Sequence, residues 1–328
     1  MNVIKKAYRK FIPFSVRVKI GEIRFRKEIK FQKTYFKRQE AYFRCHIDDF
    51  MVDVARKNDI LRVFSLLRKS GYYVFPEMDV VVRRKYFTRK LKIEKDLNIG
   101  LFYVLVDNKK LFYKAGMNKP SVYYFFNTVS LEQDYDSPHR YLTNDNYFVG
   151  VMETGIEQVE ETSFGVSNGG VVIDAGAAEG NFALSVVERA SKVYIVESNA
   201  KWCEAMRQTF LPYKDKVEII QKCLSNVSDD NNITLIDLIN EYNICEVDFL
   251  KMDIEGYEKQ ALFCSVIDDK FVNINKMAIC VYHNPEDEVE ISKFVSRYGY
   301  KSYVTKGYMF IQDFKNPPIR KAVLRAYR

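Results

Sequence analysis

Residues 171–184 read VVIDAGAAEGNFAL, an apolar strand-like run that ends in Asp174, followed by two spaced glycines and a helix-like segment. Gly176 and Gly180 allow a tight turn and a close approach to a ligand, and the helix that follows offers unpaired N–H groups. We expect this unit to seat a nucleotide-shaped ligand, although an ordinary strand–turn–helix connection has the same pattern. Gly176→Val is then expected to fill ligand space and leave the protein folded.

A second strand-like run, KVYIVES at residues 192–198, ends in Glu197. A carboxylate at the end of the second strand can accept hydrogen bonds from both ribose hydroxyls. The glycines follow D-x-G-x-x-x-G and not the G-x-G-x-x-G that cradles a dinucleotide pyrophosphate. This spacing suits S-adenosylmethionine, which has ribose, adenine and an amino-acid tail but no phosphate.

Strand-like and helix-like runs alternate after Asp174, as a doubly wound parallel α/β sheet requires. The pattern predicts strands at 171–175, 192–197, 217–223, 247–253 and 276–283. It predicts helices at about 180–190, 200–211, 233–242, 257–266 and 286–298. KSYVTKGYMFIQDF, residues 301–314, resembles a terminal β-hairpin turning at Lys306 and Gly307. The expected fold is a Rossmann-like sheet of seven mostly parallel strands with this antiparallel hairpin.

The segment DFLKMDIEGYEKQAL, residues 248–262, brings Asp253 and Glu255 to the carboxyl end of the fourth strand. Open α/β sheets bind ligands along that edge. The two acids could hold a metal such as Mg²⁺, orient an amino group, or act as a base on a hydroxyl. Glu255 could instead be a helix-start acid, with Gly256 as a turn residue.

Together these motifs resemble the FkbM-type S-adenosylmethionine-dependent methyltransferases. The matching pieces are IDAGAAEGNF, VYIVES, the QKCLS run, the LIDLI helix and FLKMDIEGYE. The resemblance is stronger to bacterial members associated with surface-glycan biosynthesis, through Ser-Pro-His-Arg-Tyr at 137–141, the Tyr282-His283 pair and the tail PPIRKAVLR. Ala178 departs from the asparagine that many members have there. The resemblance covers roughly the last 190 residues.

The resemblance implies methyl transfer from S-adenosylmethionine to a hydroxyl oxygen of a sugar. It assigns the cofactor to Asp174, Gly176, Glu179, Gly180, Asn181, Glu197, Ser198, Ser225 and Asp253. His283 and His139 are the candidate bases on the hydroxyl, with Asp253 and Glu255 as alternatives. Arg140 could hold an acidic group of the acceptor, or form a surface ion pair. His46 is interpreted as structural.

Positive charge is concentrated near the N-terminus. Residues 1–44 hold fourteen Lys and Arg and three Glu, a net of +11, so the other residues sum to −3 to give the overall +8. Aromatic and aliphatic residues recur there at near-helical spacing, which favours a helix on an anionic membrane surface. A helix docked on the core is an equal alternative. A nucleic-acid arm is the weakest, because the remaining chain is slightly acidic and lacks a recognition motif.

The sequence predicts an intracellular protein with free thiols. FIPFSV is too short for a signal peptide and is interrupted by Pro13, and no apolar run approaches the ~20 residues of a membrane span. The six cysteines include no C-x-x-C pair and are interpreted as buried thiols in the cytoplasm. The expected location is the cytoplasm, at the inner face of the plasma membrane if residues 1–44 bind lipid. Oligomeric state is not determined by these patterns.

The expected division of the chain has four parts: a basic segment at 1–44, an accessory α+β region at 45–150, the methyltransferase domain at 151–316 and a basic tail at 317–328. Within the second part we predict a hairpin at 102–114, turning at Asp107 and Asn108, and a helix at 121–133. The alternatives are a nicotinamide dehydrogenase, a nucleic-acid methyltransferase suggested by Asn316-Pro317-Pro318, and a non-catalytic protein that binds the cofactor.

Overall fold

The computed structural model describes residues 90–133, 139–142, 164–305, 309–310 and 319–328. The basic segment 1–44, His46 and the prolines at 317 and 318 lie outside the described residues. The three expected boundaries, after residues 44, 150 and 316, also fall outside them. The division of the chain into four parts therefore stays a prediction.

The first described residues form a three-stranded antiparallel sheet followed by a helix. These elements are β1 (Ile93–Lys95), β2 (Phe102–Val106), β3 (Lys109–Phe112) and α1 (Lys119–Glu132). The β2–β3 turn lies at Asp107 and Asn108, whose φ values of 48° and 64° are left-handed, as a tight hairpin with right-handed strand twist requires. Both the predicted hairpin and the predicted helix are confirmed.

Sixteen strands occur in the described chain, and seven of them form the main sheet. From residue 171 onward they are β4 (Val171–Ala175), β5 (Lys192–Val196), β6 (Val217–Ile220), β7 (Cys223–Leu224), β8 (Asn232–Ile233), β9 (Val247–Met252), β10 (Val266–Ile267), β11 (Lys270–Phe271), β12 (Ile274–Cys280), β13 (Lys301–Val304), β14 (Met309–Phe310), β15 (Ile319–Arg320) and β16 (Val323–Tyr327). The order across the main sheet is β13-β16-β12-β9-β4-β5-β6. β16 runs antiparallel to both of its neighbours, β12 and β13, and the other neighbouring pairs are parallel.

Helices cover both faces of this sheet, as alternating strand side chains require. They are α2 (Asn181–Val186), α3 (Ala200–Thr209), α4 (Leu235–Glu241), α5 (Glu258–Phe263) and α6 (Asp287–Arg297). On β9, Phe249 packs in one buried cluster with Phe182 of α2, and Leu250 packs in the other with Leu262 of α5. Consecutive strand residues thus face opposite layers. The predicted fold class is confirmed, and every predicted core strand and helix is present with ends shifted by a few residues.

The pairing that we predicted for the terminal hairpin is wrong. The strand at 301–304 pairs with Val323–Tyr327 and not with the run after Gly307. Met309–Phe310 pairs instead with Ile319–Arg320 in a separate two-stranded sheet. The antiparallel strand of the main sheet therefore comes from residues that we interpreted as a basic tail. Between β12 and β13 that strand satisfies hydrogen bonds on both sides, which a short edge hairpin would not do.

Five of the six cysteines are described, and all five are free thiols. Cys203 and Cys280 are buried, as predicted, but Cys223 and Cys245 are exposed, because they lie at the end of a short pair of strands and in a loop. Among the described helices, none has the length and apolar composition needed to cross a membrane.

Candidate active site

The loop after β4 turns through three left-handed residues: Gly176, Ala178 and Gly180 have φ values of 72°, 48° and 83°. Gly176 N donates to the carbonyl of Val196 at 2.9 Å, which ties the loop to the end of β5. A Cβ on Gly176 would lie 1.8 Å from the carbonyl oxygen of Asp253. The expectation that Gly176→Val fills ligand space in a folded protein is therefore wrong, because the side chain would collide with backbone.

Asp174, in the strand before this loop, forms a buried ion pair that supports the loop. Its Oδ1 lies 3.1 Å from Nζ of Lys251, and its Oδ2 accepts from the N–H of Ala183 in α2 at 3.2 Å. Burial raises the pKa of Asp174, and the ammonium of Lys251 opposes that rise. Lys251 also donates to the carbonyl of Gly176 at 2.6 Å. Asp174 is thus placed to support the loop, and it lines neither of the cavities described next.

A cleft of ≈ 530 Å³ opens at the carboxyl ends of β4, β5 and β9. The predicted site residues that line it are Gly176, Glu197, Ser198, Ser225, Asp253 and Glu255. Glu197 Oε2 accepts from Ala178 N at 3.0 Å, and its Oε1 accepts from Asn199 N at 2.8 Å. Each carboxylate oxygen keeps a lone pair for a further donor, so Glu197 is oriented and still able to receive ligand hydroxyls.

A smaller cavity of ≈ 140 Å³ adjoins the cleft, and both are lined by Gly176, Ala178 and Asp253. The predicted residues Glu179 and Asn181 line only this smaller cavity. Burial raises the pKa of Glu179 to about 7. The side-chain amide nitrogen of Asn181 is buried and has no hydrogen-bond partner among the described residues. Buried donors are nearly always paired, so an unpartnered one is an exception. The amide of Asn181 is therefore available to a ligand acceptor.

Asp253 is the centre of a polar network at the point where the two cavities meet. Tyr141 donates to its Oδ2 at 2.9 Å, and Tyr282 donates to its Oδ1 at 3.1 Å. His139 Nε2 lies 3.6 Å from Oδ2, and His283 Nε2 lies 3.6 Å from Oδ1. Burial alone would raise the pKa of Asp253, but His139, with Lys251 and His283, holds that pKa well below its usual range. The carboxylate is therefore ionised.

Each histidine has a glutamate at its other ring nitrogen. His139 Nδ1 lies 3.8 Å from Glu132 Oε2, and His283 Nδ1 lies 3.0 Å from the fully buried Glu258 Oε1. Burial would lower the pKa of His283, but Glu258, followed by Asp253 and Glu255, raises it above its ordinary value. The two predicted bases thus come together at one carboxylate. Neither of them lines the two cavities, so Asp253 lies between the histidines and the cavities.

Gly180 and Arg140 lie away from both cavities, and Glu255 lines the larger cleft only at its exposed edge. Gly180 contacts the core, since a Cβ there would meet Phe210 at 2.9 Å. Arg140 is buried, and its carbonyl accepts from Arg325 Nη2 at 2.7 Å. Its side chain lines neither cavity. Glu255 has a left-handed backbone with φ 58°, and its side chain is 92% exposed.

The described residues do not fit a magnesium site. They contain two groups of potential metal ligands, His139–Asp253–Cys280 and Asp253–Glu258–His283. Mg²⁺ prefers oxygen ligands in octahedral geometry, whereas each group includes an imidazole and one adds a thiol. Glu255, which we predicted as a metal ligand with Asp253, belongs to neither group. We assign no part of the chemistry to a metal.

Lys251, Glu258, Tyr141 and Tyr282 belong to the site but were not predicted. The sequence contained a signal for the first two residues. Lys251 lies inside the apolar run of β9 and Glu258 lies in the first turn of a short helix, so both are charged groups at buried positions. Their partners are distant in sequence, so only the fold identifies them.

The sheet order, the glycine turn after its first strand and the acids at the ends of its second and fourth strands are those of the class I, Rossmann-like methyltransferase fold. Residues 225–302 match the family model described as the methyltransferase FkbM domain. The resemblance stated from the motifs is thereby confirmed. The family match starts after the glycine turn.

Solved structures give weaker similarities. An FkbM methyltransferase from Methylobacillus flagellatus KT is 16% identical with a TM-score of 0.40, covering 63% of this chain and 52% of that chain. The chain thus spans about half the length of that protein. A precorrin-6y C5,15-methyltransferase from Geobacter metallireducens GS-15 is 10% identical with a TM-score of 0.35, covering 50% and 83%. A putative methyltransferase from Streptococcus mutans, in complex with SAH, is 14% identical with a TM-score of 0.33, covering 49% and 90%. No curated protein matches the chain.

Proposed function

We propose that the protein is an S-adenosylmethionine-dependent O-methyltransferase that acts on a sugar hydroxyl of a bacterial cell-surface glycan or its precursor. The observation that carries the proposal is the meeting of two adjoining cavities at one ionised carboxylate, Asp253, inside a fold of the methyltransferase class. The sugar acceptor rests on the resemblance to glycan-associated FkbM members.

The residues present suit S-adenosylmethionine, which when bound supplies a methyl group activated by a positive sulfur. Glu197 at the end of β5 offers carboxylate oxygens to the ribose hydroxyls across the larger cleft. In the smaller cavity, Glu179 offers a carboxylate to the ammonium of the amino-acid tail, and the unpartnered amide of Asn181 offers a donor to its carboxylate. Ser198 and Ser225 line the larger cleft and add hydroxyl groups there.

In this proposal Asp253 accepts the hydrogen bond of the acceptor hydroxyl and aligns it for methyl transfer. The hydroxyl loses its proton as the methyl group is transferred, so a proton acceptor must be close. Asp253 reaches the cavities, and His139 and His283 flank it on opposite oxygens. The hydroxyl proton passes to a carboxylate oxygen of Asp253 and from there to the unprotonated Nε2 of His139 or His283, each 3.6 Å from one of those oxygens. Tyr141 and Tyr282 fix the carboxylate by donating to it.

The acceptor is proposed to be a glycan or glycolipid, met in the cytoplasm at the inner face of the plasma membrane. The +11 net charge of residues 1–44 supports attraction to anionic lipids, at about 1 kcal/mol for each cation near the surface. The charge of −3 on the remaining residues argues against a nucleic-acid acceptor.

The proposal is tested first on the donor. The fluorescence of Trp202, the single tryptophan, which lines the larger cleft, reports titration with S-adenosylhomocysteine. Glu197→Ala should weaken binding by roughly 1 to 3 kcal/mol through lost charge-assisted hydrogen bonds. Glu204→Ala, on the exposed face of α3, is the matched control and should bind normally. Equal affinities for both variants would remove the ribose assignment.

The reaction is tested next. Mass spectrometry of surface glycans from cells with and without the protein should reveal a methyl ether that depends on it. Donor binding with no such methylation, in cells and on purified glycan acceptors, would instead support a non-catalytic binding protein. A fluorescence response to NADH and none to S-adenosylhomocysteine would favour the dehydrogenase alternative.

A further inference from the structure

The described residues 139–142 form neither a helix nor a strand, but they carry two side chains that reach Asp253. His139 and Tyr141 both approach its Oδ2, at 3.6 and 2.9 Å. A segment without its own backbone ladder has to be held by other groups if its side chains are to keep such distances. We call residues 139–142 the strap.

Arg325 of β16 holds the strap from the sheet side. Its Nη2 donates to the carbonyl of Arg140 at 2.7 Å and to that of Leu142 at 3.3 Å, and its Nε donates to that of Tyr141 at 3.2 Å. One rigid guanidinium thus binds three consecutive carbonyls. Its donors are spread over separate nitrogens in a planar fork, so their directions are fixed relative to one another.

Gln133, one residue beyond α1, holds the strap from the other side. Its Nε2 donates to the carbonyl of His139 at 3.1 Å, and its Oε1 accepts from the N–H of Tyr141 at 3.2 Å. The amide therefore uses both its donor and its acceptor on the two residues whose side chains reach Asp253. Gln133 is itself buried, at 5% exposure.

The position of Arg325 needs a physical reason, because it is buried at 4% exposure on β16, the strand next to the edge of the main sheet. Burying a permanent cation is costly unless it is paired. In the part of the chain that the structure describes, no carboxylate lies within ion-pair distance of it. Its charge is balanced by the three carbonyls and by the rings of Phe164 and Tyr303, whose centroids lie 5.6 and 5.9 Å away.

We propose that Arg325 and Gln133 are positioning residues that clamp the strap, so that β16 and α1 together set the distances of His139 and Tyr141 from Asp253. The functional consequence rests on the proposed methyl transfer, but the clamp itself does not. Arg325 acts through backbone carbonyls and touches neither cavity.

Hydrogen exchange tests the clamp without donor or acceptor. In Arg325→Met, the backbone amides of the strap should exchange at least about tenfold faster, while those of β9 keep their protection. The ring proton signals of His139 should shift, and those of His283 should stay in place. Arg328→Met is the matched control: Arg328 lies one residue beyond β16, is exposed and donates to Asn273. It should change neither measurement.

Gln133→Leu is the second variant and keeps the test open if Arg325→Met fails to fold, since Gln133 lies outside the main sheet. It should accelerate exchange at Tyr141 in particular and shift the same His139 signals. A folded Arg325→Met or Gln133→Leu protein with unchanged strap exchange and unchanged His139 signals would overturn the clamp. If the clamp variants behave as expected but no glycan is methylated, the proposed function fails and the clamp stands.

Discussion

Among single residues, His283 differs from His139 in how firmly its second ring nitrogen is held. Glu258 is fully buried and lies 3.0 Å from Nδ1 of His283, whereas Glu132 is partly exposed and lies 3.8 Å from Nδ1 of His139. A buried carboxylate at one nitrogen directs the other nitrogen, as in the orienting pairs of other acid–base sites. Nε2 of His283 is thereby aimed at Asp253 and at the exposed Glu255.

Glu258→Gln should lower the pKa of His283. Burial already lowers that pKa, and the hydrogen bond to Glu258, followed by the charge of Glu258, is the largest factor that raises it. Glutamine removes the charge but keeps an oxygen for the N–H of Ile254, which Glu258 binds at 2.8 Å. Because the folded pKa is raised, His283 contributes stability below its unfolded pKa of about 6.5, and this is lost as pH rises through the folded value. The variant should lose that low-pH contribution.

Nuclear magnetic resonance titration of the three histidines measures this change directly. Glu255→Gln is the control: its carboxylate is 3.6 Å from Nε2 but 92% exposed, so solvent screens it and the shift should be smaller. If the His283 pKa is the same in Glu258→Gln and in the unaltered protein, the carboxylate does not set the protonation of this ring.

Gly176 should tolerate no side chain, and the cost should appear in stability. Gly176→Ala combines a left-handed backbone with a Cβ 1.8 Å from the carbonyl oxygen of Asp253. Gly169→Ala isolates the first effect, because Gly169 has φ +77° and nothing within 4 Å of a Cβ. The control should cost about 1–2 kcal/mol, and Gly176→Ala should cost clearly more because backbone must move. Urea unfolding measures both, and equal losses would contradict the close approach.

At the scale of elements, local patterns located the strands and helices but not every pairing. Alternating and apolar runs marked β4, β5 and β9, because each is decided within a few residues. The partner of β13 is decided by the whole sheet, and it lies some twenty residues further along the chain. The sequence did not indicate β16 as this partner, because a charged residue such as Arg325 within a short run favours a tail over a buried strand.

Some residues of the candidate site could likewise be predicted from local sequence, and others could not. Asp253 and Glu197 were predictable because they end strands, and the carboxyl ends of parallel strands meet at one edge. The partners of Asp253 come from the strap, from the end of β12 and from α5, and the spacing of their residues in sequence carries no trace of these contacts. Their charge alone marked Lys251 and Glu258 as unusual.

Deletion of residues 323–328 should therefore abolish cooperative folding. β16 is hydrogen-bonded to β12 on one side and to β13 on the other, and it supplies Arg325 to the strap. Removing an interior strand exposes two ladders of unpaired backbone groups. Circular dichroism during urea unfolding should show no sharp transition for the deletion, whereas Arg328→Met should keep one. A stably folded deletion would restore the interpretation of these residues as a basic tail.

For the whole molecule, the uneven charge predicts reversible binding to anionic membranes. Residues 1–44 carry +11 while the rest of the chain carries −3, so attraction to lipid head groups should reside in that segment. Deletion of residues 1–40 should release the protein from vesicles that contain phosphatidylserine and leave S-adenosylhomocysteine affinity unchanged.

Added salt should weaken attachment of the full-length chain, because exposed charges are screened beyond about 10 Å at 0.1 M. Vesicles of neutral phosphatidylcholine are the control in the same sedimentation assay. If the full-length protein ignores anionic vesicles at low salt, residues 1–44 serve the alternative role of a helix packed on the core, and the truncated protein should then lose stability.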